Sequence, residues 1–233
     1  MPYHAHAPVL TGHRARRKGR LGSRLFPLWL MCATPGCLAQ HYFVTAIGGV
    51  STLSADSIAR LDSGTAASFY NPEDGPALNL AAGLHLNNWI SLQANYMWNR
   101  NDLTVSEIAG TVSVQQDRHS SQNAGIADAL LYFRPLRSRI RPYLSAGSGF
   151  VRLRSTASGP ARGELAPVPP QVDAVKLPLR VAVGIDLILR SGWGIRYSFS
   201  ETITTNPLSA TLDPPGFRRL ANFQNLVGFV KYF

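Results

Sequence analysis

Apolar side chains recur at every second position through much of the chain after residue 40. Between Leu177 and Leu189 every odd-numbered position is apolar, while Arg180 and Asp186 stand at even-numbered positions. Residues 90–99 repeat the pattern, with apolar residues at even positions and Ser, Gln or Asn at most of the odd ones. A period of two places alternate side chains on opposite faces of a β-strand, whereas a helix requires a period near 3.6. The chain is therefore predicted to be all-β.

Eight segments carry this alternation, and each is longer than the five or six residues typical of strands in soluble sheets. Three connectors between them are tight turns, at 87–89, 135–139 and 191–192. Four other connectors, near 55–75, 104–119, 155–174 and 206–220, are long and rich in Gly, Pro and polar residues. The predicted strands are 42–54, 76–88, 90–103, 120–134, 140–154, 175–190, 192–205 and 221–233.

One face of these strands is apolar and the other is polar, which fits two kinds of barrel. A soluble lipocalin-like carrier turns its apolar face inward, whereas a barrel in a membrane turns it toward lipid. Strand length and the strict alternation of short turns with long loops favour the membrane barrel. The predicted fold is an eight-stranded antiparallel up-and-down transmembrane β-barrel after a signal peptide, with both termini on the periplasmic side.

Aromatic residues cluster at the ends of the predicted strands. Such a distribution is typical of the two interfacial girdles of a membrane barrel. The predicted girdle residues are Tyr42, Trp89, Phe133, Trp193 and Phe233 at the turn end, and Trp98, Phe150, Phe199 and Phe223 at the loop end.

The first 39 residues read as a secretory signal peptide, and residues 40–233 as the barrel domain. Basic residues from Arg14 to Arg24 precede a short apolar run, and Cys37 and Ala39 suit the −3 and −1 positions of a cleavage site. Six of the 23 Lys and Arg residues lie in this leader, so the net charge of +10 mostly reflects it. The alternative is a basic arm that binds nucleic acid or a membrane surface. Both cysteines also fall in the leader, so no disulfide is expected in the barrel.

The last strand ends in Phe-Val-Lys-Tyr-Phe233, with alternating apolar residues before it. It resembles the assembly signal of bacterial outer-membrane barrels, carried here by Phe229, Tyr232 and Phe233. The segment 141–150 is similar to the fifth strand of the small eight-stranded outer-membrane barrels of the OmpA/OmpX type. One departure is Lys231, where that family usually has an aromatic residue. The resemblance implies an outer-membrane location and insertion by the barrel assembly machinery.

Eight strands enclose a space just wide enough for side chains to fill. Five charged residues stand at alternate strand positions whose side chains should face the lumen. We predict that they form a buried ion network that plugs the barrel: Asp128, Arg134, Arg180, Asp186 and Arg196. On a simple two-residue hairpin, Asp186 and Arg196 would not face each other. The alternative role for these charges is an ion pathway.

His119 and Ser121 are candidate catalytic residues, because a histidine can activate a serine for ester hydrolysis. The run His-Ser-Ser-Gln-Asn resembles the His-x-Ser-Asn box of the outer-membrane lipid A deacylases, although Gln122 interrupts it. The sequence places no acid partner, with Glu107 and Asp117 as candidates. The alternative is a polar loop leading into a strand, and no enzymatic activity is the favoured interpretation.

No cofactor or metal site is predicted, nor any nucleic-acid surface. The expected partners are outer-membrane lipid and lipopolysaccharide, whose phosphates could pair with Arg152, Arg154 and Arg162. A monomer is expected. The sequence predicts a role in maintaining the envelope or in contacts made by the outer loops, as an adhesin or ligand-contact protein, without a large pore.

Overall fold

The computed structural model describes residues 42–54, 58–60, 66–165, 169–212 and 219–233, with the backbone alone for 58–60. The predicted signal peptide, 1–39, lies outside the described residues. No helix in the described ranges is long and apolar enough to cross a membrane.

Twelve strands and one 3₁₀ turn make up the described chain. The strands are β1 Tyr42–Leu53, β2 Ile58–Arg60, β3 Ala66–Pro72, β4 Gly75–His85, β5 Ile90–Ala109, β6 Val112–Tyr132, β7 Ile140–Ala157, β8 Arg162–Gly163, β9 Gln171–Lys176, β10 Leu179–Ile188, β11 Trp193–Thr205 and β12 Arg219–Tyr232. The 3₁₀ turn spans Ser209–Thr211.

Eight of these strands close into an antiparallel ring, in the order β1, β4, β5, β6, β7, β10, β11, β12. The ring is sealed because β1 pairs with both β4 and β12, from Phe43 opposite Tyr232 to Leu53 opposite Asn222 on the β12 side. All eight predicted strands correspond to ring strands. Sequence neighbours pair throughout the ring, as an up-and-down barrel requires, and the eight-stranded fold is confirmed.

Side chains alternate between the interior and the exterior of the ring. Ser91, Gln93 and Asn95 on β5 are buried, whereas Leu92 and Tyr96, at the alternate positions, are 44% and 49% exposed. The interior thus collects polar and charged groups, and the exterior collects large apolar ones. A lipocalin-like carrier requires the reverse arrangement, so that alternative is wrong.

The long outer loop predicted at 104–119 is instead a continuous hairpin. β5 and β6 have 20 and 21 residues and stay paired as far as Ala109 opposite Val112, where Gly110 turns with φ of 60°. The prediction failed because strands outside a membrane need no apolar outer face. Leu103 and Val105 still alternate with polar residues, but the pattern is weaker than inside the bilayer.

The four smaller strands continue this outer sheet. β2 and β3 extend the sheet at β5, β8 pairs with β6, and β9 pairs with β7. The predicted strand 175–190 is divided into β9 and β10 at Leu177 and Pro178, although both parts keep the same register with β7. Pro178 has no N–H to donate, so it interrupts the hydrogen-bonded ladder.

The predicted turn at Ser191–Gly192 is longer than expected. β10 ends at Ile188 and β11 begins at Trp193, leaving a four-residue connector in which Ser191 and Gly192 both have positive φ. This connector shifts the register so that Asp186 lies directly opposite Arg196. The two-residue hairpin, on which these two residues would not face each other, is therefore wrong.

Candidate functional site

A layer of charged residues crosses the lumen near the turn end, which is the end with the short connectors. The Arg196 guanidinium donates to both oxygens of Asp186, at 2.6 Å from Nε and 2.7 Å from Nη2. The same Nη2 donates to the Tyr132 hydroxyl, and Nη1 donates to Gln93. Asp186 is fully buried and Arg196 is 1% exposed. Such a pair is tolerated in a low-dielectric interior only when its hydrogen bonds are well satisfied.

A second ion pair joins Arg180 to Asp128 across an intervening strand. Arg180 Nη1 donates to Asp128 Oδ2, which also accepts from Asn95 at 3.1 Å. Gly147 on β7 lies opposite both residues in the ladder. A side chain at that position would overlap the Asp128 carboxylate, so a glycine is what allows the two charges to meet.

Of the five residues predicted for the lumen network, the structure pairs four. Arg134 does not join them, because β6 ends at Tyr132 and Arg134 lies exposed in the connector to β7. Parity alone placed it inside, but parity has no meaning once the strand has ended. Arg141, which was not among the predicted lumen charges, is buried on the lumen side of β7 instead.

A polar layer closes the lumen toward the loop end. The Asn222 amide donates to Asn99 at 3.0 Å and to Gln122 at 2.9 Å, while Ser51 donates to the Asn222 oxygen at 2.7 Å. Asn99 in turn donates to Asn101 at 2.7 Å. These side chains come from β1, β5, β6 and β12, so the layer ties together strands on different sides of the ring.

Above this polar layer the lumen is covered by an apolar cluster. Leu208 and Leu212, which flank the 3₁₀ turn, are 0% and 4% exposed. They pack with residues from β1, β3, β5, β7 and β12: Leu53, Tyr70, Leu103, Val105, Leu153 and Leu220.

In the charged layer below, the cavity beside Arg180 and Arg196 has a volume of about 10 Å³, which is room for one water molecule at most.

The predicted girdle residues all lie on the exterior of the ring. Those at the turn end are exposed, including Trp89 at 47% and Trp193 at 50%. At the loop end Phe150 and Phe199 are exposed, and Trp98 and Phe223 are half-buried. Phe199 and Phe223 stack on neighbouring strands with ring centroids 6.3 Å apart. Their interfacial role stays a prediction.

The three residues of the predicted assembly signal point in two directions. Phe229 and Phe233 are exposed on the exterior, at 60% and 59%. Tyr232 faces the lumen, where its hydroxyl donates to Asp186. Lys231 lies over the Trp193 ring with its Nζ 5.2 Å from the ring centroid, so the cation at this position has an aromatic partner.

Just beyond the loop-end aromatics, the exterior becomes basic. Arg100 follows Trp98 by two residues on β5, and Arg152 follows Phe150 by two residues on β7. Arg100 and Arg154 flank Ser121 in register on three adjacent strands. We call Arg100, Arg152 and Arg154 the arginine patch.

Asp173 on β9 is the acid within this patch. It accepts two hydrogen bonds from Arg152, at 2.9 and 2.6 Å, and a longer one from Arg154 at 3.3 Å. The hydrogen bonds from Arg152 lower the pKa of the Asp173 carboxyl to about 2. Arg100 has no ion pair within the described residues, so the patch keeps a net positive charge. Arg162, on β8 opposite Gln115, lies farther out and does not contribute.

His119 and Ser121, the candidate catalytic residues, lie on the exterior face of β6 beside the arginine patch. His119 Nδ1 is 2.6 Å from Asp102 Oδ1, and both side chains are about half exposed. The acid partner is thus Asp102, not Glu107 or Asp117. Sequence reasoning missed it because Asp102 is on the neighbouring strand, directly opposite His119 in the register. No hydrogen bond joins His119 to Ser121 in the described part of the structure.

No grouping of three or more His, Cys, Asp or Glu side chains that could hold a metal ion occurs among the described residues.

Comparison with known proteins gives a family and several solved structures that match most of the chain. Neisserial surface protein A is 14% identical, with a TM-score of 0.47, over 82% of this chain and 97% of that one. The outer membrane protein OprG from Pseudomonas aeruginosa is 16% identical, with a TM-score of 0.48, over 83% and 96%. Ail, the attachment invasion locus protein of Yersinia pestis, solved in complex with the heparin analogue sucrose octasulfate, is 14% identical, with a TM-score of 0.45, over 83% and 99%.

The search of curated proteins finds no significant match. The family model described as the outer membrane protein beta-barrel domain matches residues 37–218, which is most of the chain. The chain therefore belongs to the outer membrane protein beta-barrel domain family, and its location is the outer membrane.

Proposed function

We propose that the protein is a non-conducting envelope barrel that holds lipopolysaccharide at its rim and presents the outer sheet for contacts at the cell surface. The observation that carries this proposal is the arginine patch, in which Arg100 and Arg152 each lie two residues beyond a loop-end aromatic residue. The predicted loop-end girdle would place the outer-leaflet phosphates of lipopolysaccharide at that level, and a guanidinium binds phosphate through paired, charge-assisted hydrogen bonds.

The outer sheet supports the contact role. From Trp98 to Ala109, β5 continues for about 35 Å along the strand at the usual rise per residue. Its partner β6 and the flanking β3 and β9 make this extension an ordered sheet of mixed polar composition. A rigid surface loses less entropy on binding a partner than a flexible loop does.

The filled lumen supports the non-conducting part of the proposal. The paired charges, the Asn and Gln layer and the apolar cluster lie one above another, so an ion would have to displace three differently built layers. Opening the charged layer would leave an uncompensated buried charge, which is costly.

The test is binding of lipid A with and without its phosphates to protein extracted from outer membranes into detergent. Arg152→Gln together with Arg154→Gln should lower the affinity for phosphorylated lipid A by about tenfold or more, and leave dephosphorylated lipid A unaffected. The matched control is Arg137→Gln with Arg139→Gln, which removes the same charge at the exposed turn end. An equal loss in both double variants contradicts the proposal, because net charge alone would then explain binding.

A second candidate function is hydrolysis of an acyl ester of lipid A, supported by the His119–Asp102 contact. Asp102 would hold the imidazole by Nδ1, leaving Nε2 to take the proton of the Ser121 hydroxyl as that oxygen attacks the ester carbonyl. The imidazolium would return this proton to the sugar oxygen as the ester C–O bond breaks, and water would then hydrolyse the acyl-Ser121 ester to free the fatty acid. Arg100 and Arg154 would hold the phosphorylated sugar on either side of Ser121.

The test is release of acyl chains from lipid A. Ser121→Ala should abolish it, whereas Ser120→Ala, on the lumen face of the same strand and 1% exposed, should not. Asp102→Asn should lower the rate by several orders of magnitude, as loss of the orienting acid does in serine hydrolases. Absence of acyl release by the unaltered protein rejects this candidate.

A further inference from the structure

Arg141 is a buried arginine without a carboxylate partner. It lies on the lumen side of β7 at the turn end and is 1% exposed. Its guanidinium stacks over the Tyr132 ring, with Cζ 3.8 Å from the ring centroid. This contact uses one face of the guanidinium. The donors at Nε and Nη2, which lie in the guanidinium plane, have no hydrogen-bond partner within the described residues.

The acid opposite Arg141 in the ladder is already occupied. Asp186 is in register with Arg141, but its two oxygens accept from Arg196, Tyr132 and Tyr232. No ion pair to Arg141 is present in the part of the chain that the structure describes. Asp186 therefore cannot serve as its counter-charge without giving up the Arg196 pair.

The turn-end half of the lumen consequently carries one positive charge in excess. Its described charged side chains are three arginines and two aspartates: Arg141, Arg180, Arg196, Asp128 and Asp186. A buried charge without a counter-charge is strongly disfavoured, and a guanidinium is charged at all accessible pH values. An anion from outside would remove this cost.

A cavity at the turn end gives such an anion room. Its volume is about 250 Å³, and Arg141, His85, Gly192, Tyr232 and Phe233 are among the residues that line it. This is several times the volume of a water molecule and smaller than the usual site for a drug-sized ligand. A single phosphate or carboxylate group fits that size.

We propose that this cavity binds a small oxyanion, a phosphate or carboxylate group, through the Arg141 guanidinium. The planar fork of N–H donors matches two oxygens of either group, and the side chain must turn toward the cavity to present Nε and Nη2, which protein atoms cover. His85 stacks on Tyr232 at 12° on the same side of the lumen and forms an aromatic wall beside the anion. The site is separate from the arginine patch, which lies at the other end of the barrel, so it stands independently of the proposed function.

The experiment is an NMR titration of protein extracted from outer membranes into zwitterionic detergent, observing the Arg141 Nε–H and the Gly192 amide. Inorganic phosphate and acetate are the free probes. Bilayer discs containing phosphatidylglycerol, compared with phosphatidylcholine alone, test whether a lipid headgroup supplies the anion. Saturable shifts at both positions support the site. Shifts with free phosphate or acetate identify a dissolved anion as the source, whereas shifts with phosphatidylglycerol alone identify a lipid headgroup.

Arg141→Gln should lower the affinity for the anion at least tenfold, whereas Arg139→Gln, which removes an exposed charge from the adjacent connector, should leave it unchanged. Arg141→Lys keeps the charge without the fork, and intermediate affinity is expected. If these variants fail to fold, the titration of the unaltered protein still decides the matter. Absence of saturable shifts there, or equal affinity in folded Arg141→Gln protein, overturns the proposal.

Discussion

Gly147 is the residue on which the Asp128–Arg180 pair depends, because it stands between the two charges in the ladder. At residue scale the interior is specified by such close approaches and by the hydrogen bonds around the Asp186–Arg196 pair. Arg196 illustrates the second point, since its guanidinium contacts Asp186, Tyr132, Gln93 and Thr45. Both features lead to measurable consequences of single substitutions.

Gly147→Ala should destabilise the barrel by about 1–3 kcal/mol, the usual cost of overpacking. The added methyl group would overlap the Asp128 carboxylate and the Ala127 carbonyl. Gly48→Ala is the matched control, because a Cβ there meets only the Ala77 carbonyl oxygen at an ordinary 3.6 Å. Equilibrium unfolding in urea, followed by tryptophan fluorescence, measures both. Equal effects of the two substitutions would argue against a special role for Gly147.

Arg196→Gln should cost about 3–5 kcal/mol, because it leaves the buried Asp186 carboxylate without a hydrogen-bonded cation. Adding Asp186→Asn removes that charge, so the double variant should be more stable than Arg196→Gln alone. The same urea unfolding measures all three proteins. A double variant that is less stable than the single one would show that the Asp186 charge is compensated elsewhere, with Arg141 as the obvious cation.

Asp173→Asn should raise the affinity for phosphorylated lipid A, since it releases Arg152 and Arg154 from their acidic partner. Because the pKa of Asp173 is lowered to about 2, the ion pair persists above the usual Asp pKa near 4 and is lost as the pH falls toward 2. Across pH 5–8 this group should therefore introduce no pH dependence. The lipid phosphates themselves titrate in this range, so the check is the ratio of lipid A affinities of Asp173→Asn and the unaltered protein, which should be the same at pH 5 and pH 8. An unchanged affinity in Asp173→Asn contradicts the expectation.

At the scale of elements, the long strands have two parts, and the surroundings of each part constrain its sequence differently. Within the ring every strand must offer an apolar face to lipid, and the alternation there is clear. Beyond the ring, β5, β6 and β7 continue with polar residues on the exposed face, so hydrophobic period alone underestimates their length. Register then decides which residues meet, as Asp102 and His119 show.

The outer hairpin should be separable from the barrel. Joining Leu103 to Arg118 through an Asn-Gly turn, in place of residues 104–117, keeps the register of the remaining strands. The shortened protein should still enter the outer membrane and change its gel mobility on heating, with some loss of stability because Val105 leaves the apolar cluster. It should also keep its lipid A affinity, since the arginine patch is untouched. Failure to insert would show that the hairpin is needed for folding.

For the whole molecule, the three lumen layers together should close the barrel to ions. Protein inserted in planar lipid bilayers should show no stable large conductance. Leu208→Ser with Leu212→Ser should loosen the apolar cluster and still not conduct, because the polar and charged layers remain below it. A steady open channel in the unaltered protein would contradict the filled-lumen proposal, and one in the double variant alone would place the barrier in the apolar cluster.

The period of two, the strand lengths and the terminal aromatic residues were sufficient to predict a closed eight-stranded barrel with its apolar face outward. These properties follow from the local chain, because each strand must separately satisfy lipid on one side and the lumen on the other. Contacts between strands were beyond the reach of that reasoning. Pairing with β7 stops at Tyr132, so Arg134 lies outside β6. The register of the strands placed Asp186 opposite Arg196 and Asp102 opposite His119, and it left Arg141 without a counter-charge. Each of these outcomes depends on how neighbouring strands slide past one another, and ladder hydrogen bonds and connector lengths set that slide, not the pattern within any one strand.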